Sequence, residues 1–326
     1  MELASLTTFL IGFGSQAQAW AQNLRDSNHQ LSIVLRSDSP SQHKVAKEGF
    51  KFLFHESLDF KGRPSLILLL TPDNTHLSVL KALKQKNLPS GSAIIYAHGQ
   101  SLVTEKLDQV FPEYHHLLLA PKAIASEVRR AYLQKSPLGA VYDIKISQLH
   151  NKSLQEEAFE AFLIEFSKKL GISYGPYRST FRDEMMADLY SEQTLLCSTI
   201  PYLMKTSFEK LVNKGLSREL AYMECVVEFK IIVDAFCQLG PQEFFKLISP
   251  AALVGSQKAK DYLFDSIFDQ KLEKLLKDIQ TGAFTEECNK TNIKELREKV
   301  VESWKQSKFE ETHQNLSPVF FPKKDI

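Results

Sequence analysis

Apolar positions along the chain fall into two regimes. In the first half, short β-rich apolar runs alternate with longer stretches of helical spacing: Leu6–Ile11, Leu31–Leu35, Leu66–Leu70, Ala93–Tyr96, Leu117–Leu119 and Ala140–Ile144 read as strands. Continuous runs such as Leu66-Ile67-Leu68-Leu69-Leu70 suit strands covered on both faces, and their alternation with helices predicts βα units around a parallel sheet. A helix from about Leu154 to Leu170 is expected to close this half, with Gly171, Gly175 and Pro176 marking a hinge. From Thr180 onward only helical spacing remains, and the chain after about Ser307 reads as polar and loosely ordered. The expected division is therefore residues 1–178, an α/β domain of Rossmann type, and residues 179–326, an all-helical domain.

The first strand leads into Gly12-Phe13-Gly14-Ser15-Gln16-Ala17 and then a helix. This is the dinucleotide fingerprint G-x-G-x-x-G/A in its required setting. Gly12 allows the tight turn, Gly14 lets backbone approach a pyrophosphate, and Ala17 permits close helix–strand packing. The helix start supplies free amides and the positive end of its dipole. After the second strand an NAD site usually places an acid; this chain has Arg36-Ser37-Asp38-Ser39-Pro40-Ser41 instead. A guanidinium with the Ser39 and Ser41 hydroxyls suits a 2′-phosphate, so NADP is favoured over NAD, with Asp38 weighing the other way. Ligands in open α/β sheets sit beyond the carboxyl ends of strands. Thr71-Pro72-Asp73-Asn74, expected to cap the next helix, His98 and Lys122 all fall there.

In the second half two helices carry paired acids, Asp188 with Glu192 and Glu224 with Glu228, each four apart in apolar surroundings and without a basic residue three or four positions away on the same face. Two like charges at this spacing repel, and burial makes the repulsion worse. A divalent cation removes both problems, and a carboxylate-only set suits a hard ion such as Mg²⁺ or Mn²⁺. The alternative is a pair of solvated acidic faces.

Composition narrows the picture. With 326 residues, 43% hydrophobic and 24% charged, the chain can build two ordinary globular domains. A net charge of +1 argues against a nucleic-acid partner. Cys197, Cys225, Cys237 and Cys288 form no C-x-x-C pair and read as small buried hydrophobes in a reducing compartment. No basic leader precedes the first strand, and no apolar run reaches about 18 residues, so a cytoplasmic protein without a membrane span is expected.

Several motifs together resemble the ketol-acid reductoisomerase (acetohydroxyacid isomeroreductase) family in its shorter bacterial form. In the first half they are Gly12-Phe13-Gly14-Ser15-Gln16, Asn23-Leu24-Arg25-Asp26-Ser27, Leu35-Arg36, Leu70-Thr71-Pro72-Asp73, Ala97-His98-Gly99 and Ala120-Pro121-Lys122. In the second they are Thr180-Phe181-Arg182-Asp183-Glu184, Asp188-Leu189-Tyr190-Ser191-Glu192-Gln193, Ala221-Tyr222-Met223-Glu224-Cys225, Glu228-Phe229-Lys230 and Ile248-Ser249. The resemblance implies a Rossmann domain, an entwined, knotted-type helical domain, NADPH and two Mg²⁺ ions. It implies alkyl migration in a 2-hydroxy-2-alkyl-3-keto acid of the acetolactate type, then reduction of the new ketone, a step of branched-chain amino-acid biosynthesis. By position it assigns Asp188 as the metal bridge, Glu192 as a metal ligand that also belongs to the catalytic group, and Glu224 and Glu228 to the second ion's surroundings. His98 and Lys122 would stand at the reacting centre, and Ser249 would bind the substrate carboxylate. It further implies a homodimer whose sites are shared between chains.

The chain departs from the family at Ile124-Ala125-Ser126, where a Pro-Gly-His run is expected. It departs again at Gln134-Lys135-Ser136-Pro137-Leu138-Gly139 and at Pro250-Ala251-Ala252-Leu253-Val254-Gly255. These changes bear on the substrate rim. They leave open a relative acting on another 2-keto or hydroxy acid, and a catalytically silent NADP- or metabolite-binding protein.

Overall fold

The computed structural model describes Leu3 and residues 6–149 and 152–322, the side chains of 152–154 excepted. In chain order the first unit contains β1 (Thr7–Ile11), α1 (Ser15–Asp26), β2 (Ser32–Leu35), α2 (Gln42–Lys47), β3 (Phe52–Phe54), β4 (Ser65–Leu69), α3 (His76–Gln85) and β5 (Ala93–Tyr96). It continues through α4 (Gln100–Glu105), α5 (Leu107–Val110), β6 (His115–Pro121), α6 (Ala125–Gln134), β7 (Gly139–Lys145), α7 (Lys152–Lys169), β8 (Tyr174–Arg178) and the start of α8 (Phe181–Ser191).

The strands form one sheet in the order β3-β2-β1-β4-β5-β6-β7-β8. Neighbours run parallel except β6 and β7, which are antiparallel. Along the central strands alternate residues serve opposite layers. Leu10, Leu66, Leu68 and Ile95 pack with Trp20 and Leu24 of α1 and with Phe159, Leu163 and Phe166 of α7. Phe9, Ile11, Ile67 and Leu69 pack with Leu80 and Leu83 of α3 and with Leu102 of α4. Helices thus cover both faces, as the continuous apolar runs require.

Two strands lay outside the sequence expectation. β3 is only Phe-Leu-Phe, too short for a periodic signal. β8, Tyr-Gly-Pro-Tyr-Arg, carries the Gly175 and Pro176 that read as a hinge; it instead extends the sheet beside β7. Proline is tolerated on an edge strand, so α7 does not end this half.

The compact units divide at Met185/Met186, inside α8, rather than at 178/179. The first turn of α8 belongs to the sheet unit: Phe181 is buried among its apolar side chains, and the Phe181 amide donates to the buried Asp143 carboxylate at 3.0 Å. A carboxylate there also complements the helix dipole.

The second unit is helical throughout its described residues: the end of α8, α9 (Thr199–Asn213), α10 (Arg218–Tyr222), α11 (Phe229–Leu247), α12 (Pro250–Leu263), α13 (Ser266–Thr281), α14 (Ala283–Lys290), α15 (Ile293–Lys305) and α16 (Lys308–Phe320). The stretch Lys308–Phe320, read as loosely ordered, is thus helix, because Phe309 packs edge-on against Phe208 and Trp304 in this unit's core. The cysteines also differ from expectation: Cys197 and Cys237 are exposed, Cys225 and Cys288 half-buried. The reason lies in their helices, whose apolar faces are largely uncovered in the single chain. Ile231, Phe236, Leu239 and Leu247 of α11 are all exposed.

Candidate active site

Four neighbouring parallel strands, β3, β2, β1 and β4, end on one rim, and the residues just beyond them build a nucleotide cradle. Gly12, after β1, has φ +85°, a conformation that disfavours any side chain; an added Cβ would also lie 2.9 Å from the Thr71 methyl. Gly14 precedes α1 with no side chain capping that helix, so the first amides point outward unpartnered by a cap. No atom lies within 4 Å of a Cβ built on Gly14, which leaves room for a pyrophosphate. Ser15 is exposed and Gln16 half-buried at this start. The Phe13 ring is buried edge-on to Phe50, so only its backbone can face a ligand.

Beside this turn lies a cavity of about 520 Å³, lined among others by Gly12, Arg36, Ser39, Ser41, Thr71 and Pro72. The Arg36 guanidinium stands at the exposed rim, 3.5 Å from the Asp38 carboxylate. Thr71 is held from behind by the buried His76. Its Nε2 faces the Thr71 carbonyl at 2.8 Å and its Nδ1 faces the Ser101 hydroxyl at 2.6 Å. A carbonyl can only accept, so Nε2 carries the hydrogen and Nδ1 accepts. Burial holds the His76 pKa down, against the pull of Asp73.

Farther along the same sheet edge, Asp73, His98, Lys122 and Glu184 form a second group, all within the sheet unit. Glu184, on the first turns of α8, has a side chain only 1% exposed. It accepts from Lys122 Nζ at 2.5 Å and from the Gly99 amide at 2.7 Å. His98 lies between two carboxylates, its Nδ1 3.7 Å from Asp73 and its Nε2 3.8 Å from Glu184. Burial pushes the Asp73 carboxyl up; contact with His98, the charges of His98 and His76, and the Ser101 amide outweigh it, leaving the group below its ordinary range. Gly99 makes the approach possible, since a Cβ there would collide with the Phe181 carbonyl. The structure thus brings His98 and Lys122 together and adds Glu184 and Asp73. Sequence reasoning gave Asp73 only a part in capping α3, whose N-cap is instead Thr75 without a side-chain cap, and quoted Glu184 inside a motif without a role, because nothing local links it to Lys122, 62 positions away.

In the helical unit, Asp188 lies on α8, while Glu192 opens a π-helical turn, Glu192–Leu196, and Glu224 and Glu228 both lie on another, Met223–Glu228, where α-helix was expected. The first shows in the bond from the Cys197 amide to the Glu192 carbonyl at 3.0 Å. Such turns recur at functional sites. Burial and then the Glu192 and Asp188 carboxylates push the Cys197 thiol pKa up, as expected if both acids lie near it. Glu224 and Glu228 are exposed, and their carboxylates have no ion pair or hydrogen bond among the described residues. No three of Asp188, Glu192, Glu224 and Glu228 bring ligand atoms within 4.8 Å of one another among the described residues of one chain. Ser249 precedes α12, its hydroxyl accepting from the Ala252 amide at 3.1 Å, which leaves the O–H free to donate. Pro250 takes the first helical position, where proline fits, so this departure preserves the helix.

Comparison with known proteins decides the kinship. Residues 2–162 match the family described as acetohydroxy acid isomeroreductase, NADPH-binding domain. Residues 181–320 match ketol-acid reductoisomerase, C-terminal domain. The chain belongs to the ketol-acid reductoisomerase family. It is 32% identical over 287 residues to a ketol-acid reductoisomerase (NADP(+)) of Helicobacter pylori (strain HPAG1), spanning 87% of this chain and 84% of that one. It is 30% identical to the enzyme of that name from Xylella fastidiosa (strain 9a5c), over 86% and 78%. Among solved structures, an NADH-preferring ketol-acid reductoisomerase from an uncultured archean aligns over 98% of this chain and 96% of that one. Its TM-score is 0.80 at 25% identity. No helix among the described residues is long and apolar enough to cross a membrane.

Proposed function

We propose that this protein is an NADPH- and Mg²⁺-dependent ketol-acid reductoisomerase. It moves an alkyl group within a 2-hydroxy-2-alkyl-3-keto acid of the acetolactate type and reduces the product to a 2,3-dihydroxy acid, in cytoplasmic branched-chain amino-acid biosynthesis. The observation that carries the reading is the pairing, on one sheet edge, of a dinucleotide cradle with the buried Glu184 that holds Lys122 beside His98. A silent binding protein has no need to bury a carboxylate against a lysine at that place.

When bound, the divalent cations polarise the ketone and acidify the hydroxyl, and NADPH supplies the hydride. The donor set fits such ions: four carboxylates, no thiolate, with Glu192, Glu224 and Glu228 exposed on π turns and Asp188 half-buried on α8. Asp188 would bridge two ions, Glu192 would hold one, and Glu224 and Glu228 would surround the other. Lys122, held by Glu184, donates toward the oxygen that gains negative charge. His98, oriented by Asp73, moves a proton at the substrate oxygen. Ser249 donates to the substrate carboxylate. The cradle of Gly12, Phe13, Gly14, Ser15 and Gln16 takes the pyrophosphate on backbone amides, while Thr71 and Pro72 wall the dinucleotide.

The exposed apolar surface of α11 supports a homodimer, entwined through the helical units, in which one chain's Asp188 and Glu192 meet the partner's acids at one shared site. That the four acids do not converge within one chain agrees with this arrangement.

The test is oxidation of NADPH followed at its absorbance with acetolactate, with and without Mg²⁺. Turnover that requires both is the expected result; substrate-independent NADPH binding without turnover would overturn the reading in favour of a silent binder.

Arg36 sets a second expectation. NADPH should bind at least about tenfold more tightly than NADH, equivalent to about 1.4 kcal/mol, and Arg36→Ala should erase most of that gap in equilibrium binding. Since Asp38 competes for the guanidinium, Asp38→Asn should widen it. Equal affinities in the unmutated protein would remove Arg36 from this role.

A further inference from the structure

The cavity beside Gly12 has a wall that the fingerprint does not name. His55 follows the last residue of β3 and lines the cavity with Val79 and Ala82 of α3. Its Nε2 is shielded from solvent and has no hydrogen-bond partner. A buried polar nitrogen without a partner costs free energy, and because His55 lines the cavity, a group bound there can complete it.

We infer that His55 is an adenine-holding residue: its Nε2 hydrogen-bonds the polar edge of the adenine base of the dinucleotide. The inference rests on the cofactor reading above. Three observations place the base here rather than the 2′-phosphate. First, the strand order β3-β2-β1-β4 sets His55, Arg36, Gly12 and Thr71 along one rim. A dinucleotide whose pyrophosphate lies on Gly12 and Gly14 therefore extends its adenosine past Arg36 toward His55. Second, the guanidinium of Arg36 is largely in water, where a dianion keeps its hydration, whereas Nε2 is dry. Third, Val79, Ala82, Pro40 and Pro72 give this part apolar walls. A flat base with apolar faces and a polar edge matches that lining; a phosphate does not. Imidazole can donate or accept at Nε2 according to tautomer, so either kind of atom on the base edge satisfies it.

The experiment uses the full chain and direct binding rather than turnover. Dissociation constants for NADPH, NADH and 2′,5′-ADP are measured by calorimetry for wild type, His55→Ala and His55→Gln, with melting temperature as a check on folding. Because Nε2 bonds nothing in the protein, both variants should melt close to wild type without ligand. His55→Ala should weaken all three ligands by about tenfold, the size of one buried hydrogen bond. His55→Gln, which restores a polar tip, should recover much of the loss. A loss confined to NADPH and 2′,5′-ADP, with NADH unchanged, would assign His55 to the phosphate and overturn the inference. So would unchanged constants in both folded variants beside a wild type that binds NADPH. If the wild type binds neither dinucleotide, the cofactor reading itself fails and takes this inference with it.

Discussion

Glu184→Gln should lower kcat by about 10²–10⁴-fold while leaving the dissociation constant for NADPH near that of wild type. The carboxylate presents two oxygens to two donors, Lys122 Nζ and the Gly99 amide. Glutamine keeps the shape but offers one oxygen and an NH₂, so one of those donors must face another donor. It also removes the negative charge paired with Lys122. Because the Glu184 side chain is almost fully enclosed, water cannot repair the mismatch, and a folding cost of about 1–3 kcal/mol accompanies the loss of rate. Lys122 is 37% exposed, so its share of that cost is screened. Glu184→Asp retains the charge on a shorter arm and should be intermediate. Steady-state kinetics with saturating NADPH, beside urea unfolding, separate the two effects. A folded Glu184→Gln enzyme with kcat within about threefold of wild type would show that the Lys122 contact is structural only.

The places where the sequence was readable and where it was not have distinct physical causes. The strand–glycine–helix turn at Gly12 was legible because its chemistry is local: a positive φ, a close approach and a helix start lie within six residues. The strands from β4 to β6 were legible because burial on both faces leaves continuous apolar runs. β8 was hidden because Gly175 and Pro176 signal a turn, and only pairing with β7 reveals an edge strand. α16 was hidden because its outward face is polar and its anchor, Phe309, is a single residue whose partner Phe208 lies far away in the chain. The acid pairs were found by spacing, yet the π turns at Glu192 and beneath Glu224 and Glu228 were not, since a four-residue interval reads the same on either helix. The Glu184–Lys122 contact depends on the start of α8 being drawn to the sheet by Asp143 and admitted by Gly99, which no local pattern records.

Asp188→Ala and Glu224→Ala proteins should each be nearly inactive as homodimers, yet should restore activity to one another when refolded together. The helical unit is incomplete as a single chain. Its α11 exposes Ile231, Phe236 and Leu239, more apolar surface than one helix leaves to water. No three of its four acids bring ligand atoms together among the described residues, although like carboxylates four positions apart call for a cation. A two-fold-related copy answers both: it covers α11, and it brings Glu224 and Glu228 of one chain to Asp188 and Glu192 of the other. In a mixed dimer one site then collects both lesions and the other none, so each mixed dimer should regain roughly half of wild-type activity, one intact site of two. If each chain built its own site, every site in the mixture would keep one lesion and the mixture would stay inactive. Heterodimer formation is followed with differently tagged chains, and activity is normalised to the heterodimer isolated by both tags. Isolated heterodimers without activity would exclude the shared site and return the four acids to a site within one chain.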